Sequence, residues 1–397
     1  MTTQKNHTWL LPQGIDEVLP PETHRLEQLR RKLLDYYQSC GYDLVIPPLM
    51  EYLDSLLAGS GSDLNVQTYK VPDQLTGRTM GIRSDMTPQV ARIDAHQIKR
   101  DIPVRLCYIG PVLQTLPSGF FGTRSPLQLG IELFGHSGIE SDAETLGLMI
   151  DTLQMVGIPE LHIDLGHVGI FRGLTQAANL SSEQEQQLFD ATQRKAQCEV
   201  DALLADWEMA EPLRLALSQL PTLAGGESML SKAREVLSDA PQSVIESLDY
   251  LEKVASLIHT RHPDLPLYFD LAELRGYHYK TGIVYAAFTP NHGQEIARGG
   301  RYDNLGSEFG TTRPATGFST DLKTLTRLST TAPEQTTLNA VFAPASDDET
   351  QLETTKTLRA TGQRVITELP GQNGSAAELG CGSVLKKQNG SWQIVPL

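Results

Sequence analysis

Residues 107–132 read CYIGPVLQTLPSGFFGTRSPLQLGIE. At the end of that run the apolar residues Leu127, Leu129, Ile131 and, one step on, Leu133 alternate with Gln128, Gly130 and Glu132. Successive side chains of a strand point to opposite faces, so Gln128 and Glu132 share a face, four residues apart across a glycine. A polar face left in solvent is the plain alternative. The apolar residues on either side favour the other reading, in which both side chains turn inward together and are held for a ligand.

Working outward toward the N-terminus, residues 79–91 predict a strand (Met80, Ile82), a polar turn and a helix start, with Thr87 as N-cap and Pro88 at the first helical position. Residues 22–40, ETHRLEQLRRKLLDYYQSC, space Leu26, Leu29, Leu33, Leu34 and Tyr37 as a helix does. Gly41 stands where a C′ glycine ends a helix, and Leu44-Val45-Ile46 then predicts a strand running into Pro47-Pro48. Toward the C-terminus, residues 162–168 alternate like a strand. From about Arg172 to His262 the sequence turns glutamine- and acid-rich and predicts an α-helical insertion of three stretches, broken at Gly225-Gly226 and Pro241. Strand patterns resume at Leu267–Leu271 and Gly282–Phe288, followed by Gly299-Gly300-Arg301-Tyr302-Asp303 and Ala315-Thr316-Gly317-Phe318. The domain boundaries follow: a core over residues 1–328 that includes the 172–262 insertion, a threonine-rich linker over 329–337, and a small α/β module over 338–397. The module holds a strand at Ala340–Ala343, a helix near 347–360 and a strand at Val365-Ile366, and thins into GQNGSAAELGCG. No internal repeat is present.

The chain has 397 residues, 40% hydrophobic and 20% charged, ordinary proportions for a globular protein with a large core. No window approaches ~18 uninterrupted apolar residues, so no membrane span is predicted, and MTTQKNHTWLLPQG lacks the apolar h-region of a secretion signal. Cys40, Cys107, Cys198 and Cys381 are scattered and form no CxxC pair, consistent with thiols in a reducing cytoplasm and with neither a metal site nor a disulfide framework. The 33 basic and 48 acidic residues leave a net charge of −15. Phosphate contacts supply most nucleic-acid affinity, so this balance favours protein partners and small ligands over tRNA. P-loop, GxGxxG, HExxH and GxSxG signatures are absent. His136, His162 and His167 lack metal-ligand companions and read as ordinary histidines.

Four separated blocks (83–89, 107–132, 274–279 and 299–303), in an order that with their surroundings covers roughly residues 10–325, resemble the histidyl-tRNA synthetases of class II. The 22–52 helix, Gly41-Tyr42 and strand resemble motif 1, which builds the dimer interface in that class. Arg83-Ser84-Asp85-Met86-Thr87-Pro88-Gln89 falls on the stretch whose acid and threonine receive the substrate ammonium. Tyr108-Ile109-Gly110-Pro111 and Gln128–Glu132 resemble motif 2, with Gln128 and Glu132 on residues that touch the histidine ammonium and imidazole; a carboxylate beside an imidazole nitrogen is a natural reader of histidine. Leu274-Arg275-Gly276-Tyr277-His278-Tyr279 resembles the histidine-specific motif. Arg275 falls on an arginine that faces the carboxylate and phosphate, Tyr279 is the better tyrosine candidate and Tyr277 the reserve, and His278 takes an aspartate or tyrosine position depending on that register. Core packing is the expectation for one of these three aromatic positions. Gly299–Asp303 reads as structural, its glycines allowing close backbone approach.

The nucleotide end differs. Gln114 and Leu116 replace an arginine and a glutamate of motif 2, and Thr324, preceded by Lys323, replaces the arginine of motif 3 that stacks on ATP. Neutral side chains cannot offset a triphosphate. Together with the Asp85-Met86-Thr87-Pro88 form, these three losses resemble the regulatory subunits of ATP phosphoribosyltransferase, a family of synthetase paralogues. That resemblance implies an antiparallel class II sheet flanked by helices. It also implies a non-catalytic, cofactor-free histidine sensor that joins short-form catalytic subunits and pairs with itself. Two other classes are open: an adenylating paralogue, which the three losses oppose, and a tRNA-binding sensor, which the acidic charge and short tail oppose.

Overall fold

The computed structural model describes residues 10–58, 62–117, 122–290, 292–305, 310, 312–331 and 340–397. Two compact units emerge: the stretch up to Val18 with Leu26–Thr330, and Leu19–Arg25 with Thr331–Leu397. Most of the expected linker lies outside the described residues.

Helix α1 (Glu22–Ser39) buries Leu26, Leu29, Leu33 and Tyr37, the row its spacing predicts, and Gly41 follows at φ +86°. The next strand, β1 (Asp43–Leu44), is shorter than expected. Val45 N–H still reaches the Cys107 carbonyl at 2.9 Å, but Pro47 and Pro48 have no N–H with which to extend the ladder. Strands β2 (Met50–Tyr52), β3 (Tyr69–Pro72) and β4 (Thr79–Ile82) form a small antiparallel sheet in the order β2-β4-β3, with the short helices α2 (Leu53–Leu56) and α3 (Ser62–Gln67) between β2 and β3. In α4 (Thr87–Ile93) the expected cap is corrected. Thr87 is the first helical residue, and the acceptor for its N–H is Asp85 Oδ1, 2.8 Å away, which frees the threonine hydroxyl.

The main sheet has nine strands in the order β1-β5-β6-β12-β11-β10-β7-β9-β8. They are β1, β5 (Val104–Pro111), β6 (Leu127–Phe134), β7 (His162–His167), β8 (Ala224–Gly225), β9 (Leu267–Asp270), β10 (Ile283–Phe288), β11 (Ala297–Arg301) and β12 (Ala315–Asp321). The strands from β5 to β7 pair antiparallel throughout, and among the described residues of this sheet the parallel pairs are β1·β5 and β7·β9. Helix α5 (Ile139–Val156) packs on the sheet, its Leu146, Met149, Ile150, Leu153 and Val156 fully buried. This is the class II synthetase-like arrangement that the resemblance implied.

Between β7 and β9 lie α6 (Val168–Ala177), α7 (Ser182–Gln193), α8 (Gln197–Asp206), α9 (Glu211–Gln219), α10 (Ser228–Val236) and α11 (Gln242–Arg261). Three stretches were expected. The three extra breaks come at Asn179, at φ +51°, at Lys195, at φ +54°, and after Asp206, where neither glycine nor proline marks the stop. Nor do these helices stand apart: Leu188, Val200, Leu204, Leu220, Val244 and Leu251 join Ile163, Leu165 and Phe269 in one continuous core. Helix α12 (Leu322–Leu328) closes the first unit.

The C-terminal unit holds β13 (Ala340–Ala343), α13 (Glu349–Ala360), β14 (Val365–Thr367), β15 (Cys381–Gln388) and β16 (Ser391–Pro396), with strand order β14-β13-β15-β16. The glycine-rich tail therefore does not thin out. It ends in a hairpin whose Asn389-Gly390 turn has φ +50° and +82°, as a type I′ turn requires. No helix among the described residues is long and apolar enough to cross a membrane.

Candidate functional site

Strand register builds the site before any side chain does. Gln128, Gly130 and Glu132 of β6 pair with Gly110, Tyr108 and Leu106 of β5 on one side and with Asp321, Ser319 and Gly317 of β12 on the other; Gly317 pairs in turn with Gly300 of β11. Paired residues of a sheet share a face, so glycines form a floor around Glu132. A Cβ on Gly317 would run into the Glu132 carboxylate, and one on Gly130 into the Tyr108 hydroxyl. The sheet lacks side chains where the polar groups stand.

Glu132 is 1% exposed. Its carboxylate accepts from Tyr108 Oη at 3.0 Å and from Tyr302 Oη. Burial drives its pKa up to about 7, against the hydrogen bonds from Tyr302, Thr87 and Tyr108 that favour the charge. Thr87 Oγ1 lies 3.1 Å from Tyr108 Oη, linking the start of α4 to this group. Beside it, Asp85 Oδ1 accepts from Gln128 Nε2 at 2.9 Å, and Gln128 Oε1 accepts Met86 N–H at 2.9 Å. A carboxylate and an amide are thus aimed from the α4 turn and from β6 into one place.

Of the expected site residues, Asp85, Thr87, Gln128 and Glu132 come together, and Tyr279 joins them by stacking on Tyr302 with ring centroids 5.2 Å apart. Tyr277 does not. It is packed against Phe171 and Phe189, and its hydroxyl donates to Glu185 Oε1 at 2.6 Å, so it is the core-packing member of the three. His278 is exposed against Phe189. Arg275 is held by Glu273 at 3.1 Å and Glu295 at 2.9 Å rather than aimed at Glu132. The close-packed glycines of Gly299–Asp303 and Arg301, which bonds Asp142, Ser141 and Asp303, play the structural part expected. Tyr302 departs from that reading by reaching Glu132. Tyr108, Tyr302 and Lys280 are the residues that sequence reasoning missed. The first could have been found by continuing the alternation of β5 to the face of Gly110; the other two lie at strand and turn ends where no periodicity applies.

At the three replaced positions, Gln114 is buried with its Nε2 donating to the Ser84 carbonyl at 3.4 Å, Leu116 is exposed, and Thr324 Oγ1 donates to Asp321 Oδ2 at 2.7 Å at the head of α12. Nearby cations are committed elsewhere. Arg124 bonds the carbonyls of Gln114 and Gln13, while Lys323 and Arg327 pair with Asp16 at 3.3 and 2.5 Å. Burial raises the Asp16 pKa, but hydrogen bonds from Thr123, Arg327 and Ser125 and the charge of Lys323 outweigh it and bring it to about 2. No group of His, Cys, Asp and Glu that could hold a metal occurs among the described residues.

Residues 14–325 match the family model described as histidyl-tRNA synthetase, and residues 338–395 match the one described as ATP phosphoribosyltransferase subunit HisZ C-terminal domain. A protein of Alkalilimnicola ehrlichii is 52% identical over 394 residues, covering 99% of this chain and 98% of its own length; one of Thioalkalivibrio sulfidiphilus is 51% identical over 393 residues, covering 99% of each. Both are named ATP phosphoribosyltransferase regulatory subunit. Among solved structures, an ATP phosphoribosyltransferase regulatory subunit/histidyl-tRNA synthetase from Bacillus halodurans superimposes with TM-score 0.82 at 24% identity over 94% of this chain and 96% of its own. Histidyl-tRNA synthetase from Nostoc does so at 0.77 and 21%, over 95% and 91%. At such identities the likeness is one of fold.

Proposed function

The chain belongs to the family of ATP phosphoribosyltransferase regulatory subunits, and from that premise we propose that it is the non-catalytic partner of a short-form catalytic subunit in the first step of histidine biosynthesis, where it reports histidine as a feedback signal. One observation carries the ligand: the Glu132 carboxylate, buried between two phenols over a glycine floor beside Asp85 and Gln128. In this reading Glu132 accepts from the imidazole, Asp85, Thr87 and Gln128 hold the ammonium, and Tyr279 flanks the ring. Arg275 can take the carboxylate only by leaving Glu273 or Glu295, and Tyr277 and His278 act through packing. The committed cations around Gln114, Leu116 and Thr324 support a site that binds no ATP. Feedback then requires histidine to bind the inhibited arrangement of the complex more tightly than the active one, with reciprocal coupling.

The test is a histidine titration of phosphoribosyl transfer by complexes reconstituted with wild type and E132Q. The variant keeps the shape and loses a charged hydrogen bond worth ~1.5–3 kcal/mol, so inhibition should need roughly ten to a hundred times more histidine, while assembly and stimulation persist. Inhibition at an unchanged concentration would remove this pocket as the sensor.

A further inference from the structure

Lys280 follows Tyr279 in a turn pinned at both backbone groups, its N–H on the Gly276 carbonyl at 2.7 Å and its carbonyl accepting from Arg172 at 3.1 Å. The side chain runs back into the site. Its Nζ stands 5.4 Å from the Tyr279 ring centroid and 5.8 Å from that of Tyr302, the tyrosine bonded to Glu132. A Cβ on Gly300 would lie 3.1 Å from this Nζ, and one on Gly317 would strike the Glu132 carboxylate. Gly300 and Gly317 are register partners on neighbouring strands, about 4.8 Å apart across the sheet. Ammonium and carboxylate therefore stand over adjacent floor positions, yet no ion pair joins them among the described residues.

A neutral imidazole has one N–H donor and one bare nitrogen acceptor, an imidazolium has two donors, and an ammonium can only donate. We propose, resting on the histidine reading above, that Lys280 is a specificity-determining residue that restricts the pocket to the neutral ring: its ammonium donates to one ring nitrogen while Glu132 accepts from the other. An imidazolium would set N–H against the ammonium. The charged groups facing Lys280 are Glu132 on β6, Asp85 before α4, Asp142 on α5 and Arg298 on β11, with the phenols of Tyr279 and Tyr302 beside it. Burial lowers its pKa to about 8 against the pull of Glu132, which leaves it largely charged at neutral pH.

Calorimetric titration of the full chain with histidine at about pH 7.5 and about pH 5.5 tests this. Only about a tenth of an imidazole with pKa about 6.5 is neutral at the lower pH. The wild type should therefore bind at least about tenfold more weakly there, and K280R should keep that loss. In K280M one proton shared between ring and Glu132 satisfies the contact, and the two affinities should agree within about threefold. A wild type that binds equally at both pH values, or a K280M that keeps the wild-type drop, overturns the proposal while leaving the histidine pocket in place. Should K280M fail to fold, K280Q takes its place with the same expectation, because its amide can donate to a bare ring nitrogen or accept from a ring N–H. Absence of histidine binding by the wild type at pH 7.5 would instead overturn the histidine reading itself.

Discussion

Burial lifts the Glu132 carboxyl to about 7 although Tyr302 and Tyr108 donate to it, so the folded chain holds its proton up to that pH, whereas an unfolded glutamate holds it only to 4.5. Stability from this group is complete below the unfolded value and is lost as pH rises through 7. E132Q should consequently gain stability over wild type between about pH 5 and pH 8, by up to roughly 3 kcal/mol. Thermal denaturation across that range reads the effect; a gap that does not change with pH would assign the difference to packing. Glu132 and Gln128 were legible in the sequence because alternation along one strand is a local property. Their partners Tyr302 and Lys280 were not, since Tyr302 lies 170 residues from Glu132 and nothing local marks it as a donor.

Among the elements, α4 shows how a correct boundary can carry the wrong cap. Thr87-Pro88 does begin the helix, but Asp85 accepts the Thr87 N–H, and the threonine hydroxyl goes to Tyr108 instead. Strand β12 shows the opposite economy: Gly317 is needed for what it lacks. G317A must push against the Glu132 carboxylate, which two phenols hold in place, and the Ile131 carbonyl, which belongs to a paired strand, and should cost about 1–3 kcal/mol and weaken histidine binding. G226A, whose added Cβ would meet nothing within 4 Å, should be close to neutral. Denaturant midpoints of the two variants check the contrast; equal midpoints would show that the floor is soft.

For the molecule as a whole, self-association is expected through the motif 1 helix and strand. There β1 and the turn after it leave Leu44 46%, Ile46 80% and Leu49 47% exposed beside Pro47-Pro48, a cluster of apolar side chains that solvent does not favour. Sedimentation at micromolar concentration should give a dimer for wild type and a lighter species for I46E; a monomeric wild type would remove this face as an interface. The main helices and strands of the core, the motif residues and the loss of charged side chains at Gln114, Leu116 and Thr324 were determined by the sequence alone, because periodicity, turn chemistry and side-chain charge act over a few neighbours. Even the C-terminal hairpin had its signal in Asn389-Gly390, masked by the glycine-rich stretch before it. Only the tertiary structure decided that the helices between β7 and β9 share the core of the sheet, that Arg275 is held by Glu273 and Glu295, and that Tyr302, Tyr279 and Lys280 close around Glu132. Those outcomes depend on strand register and on the burial of charge, which exist only once distant segments have paired.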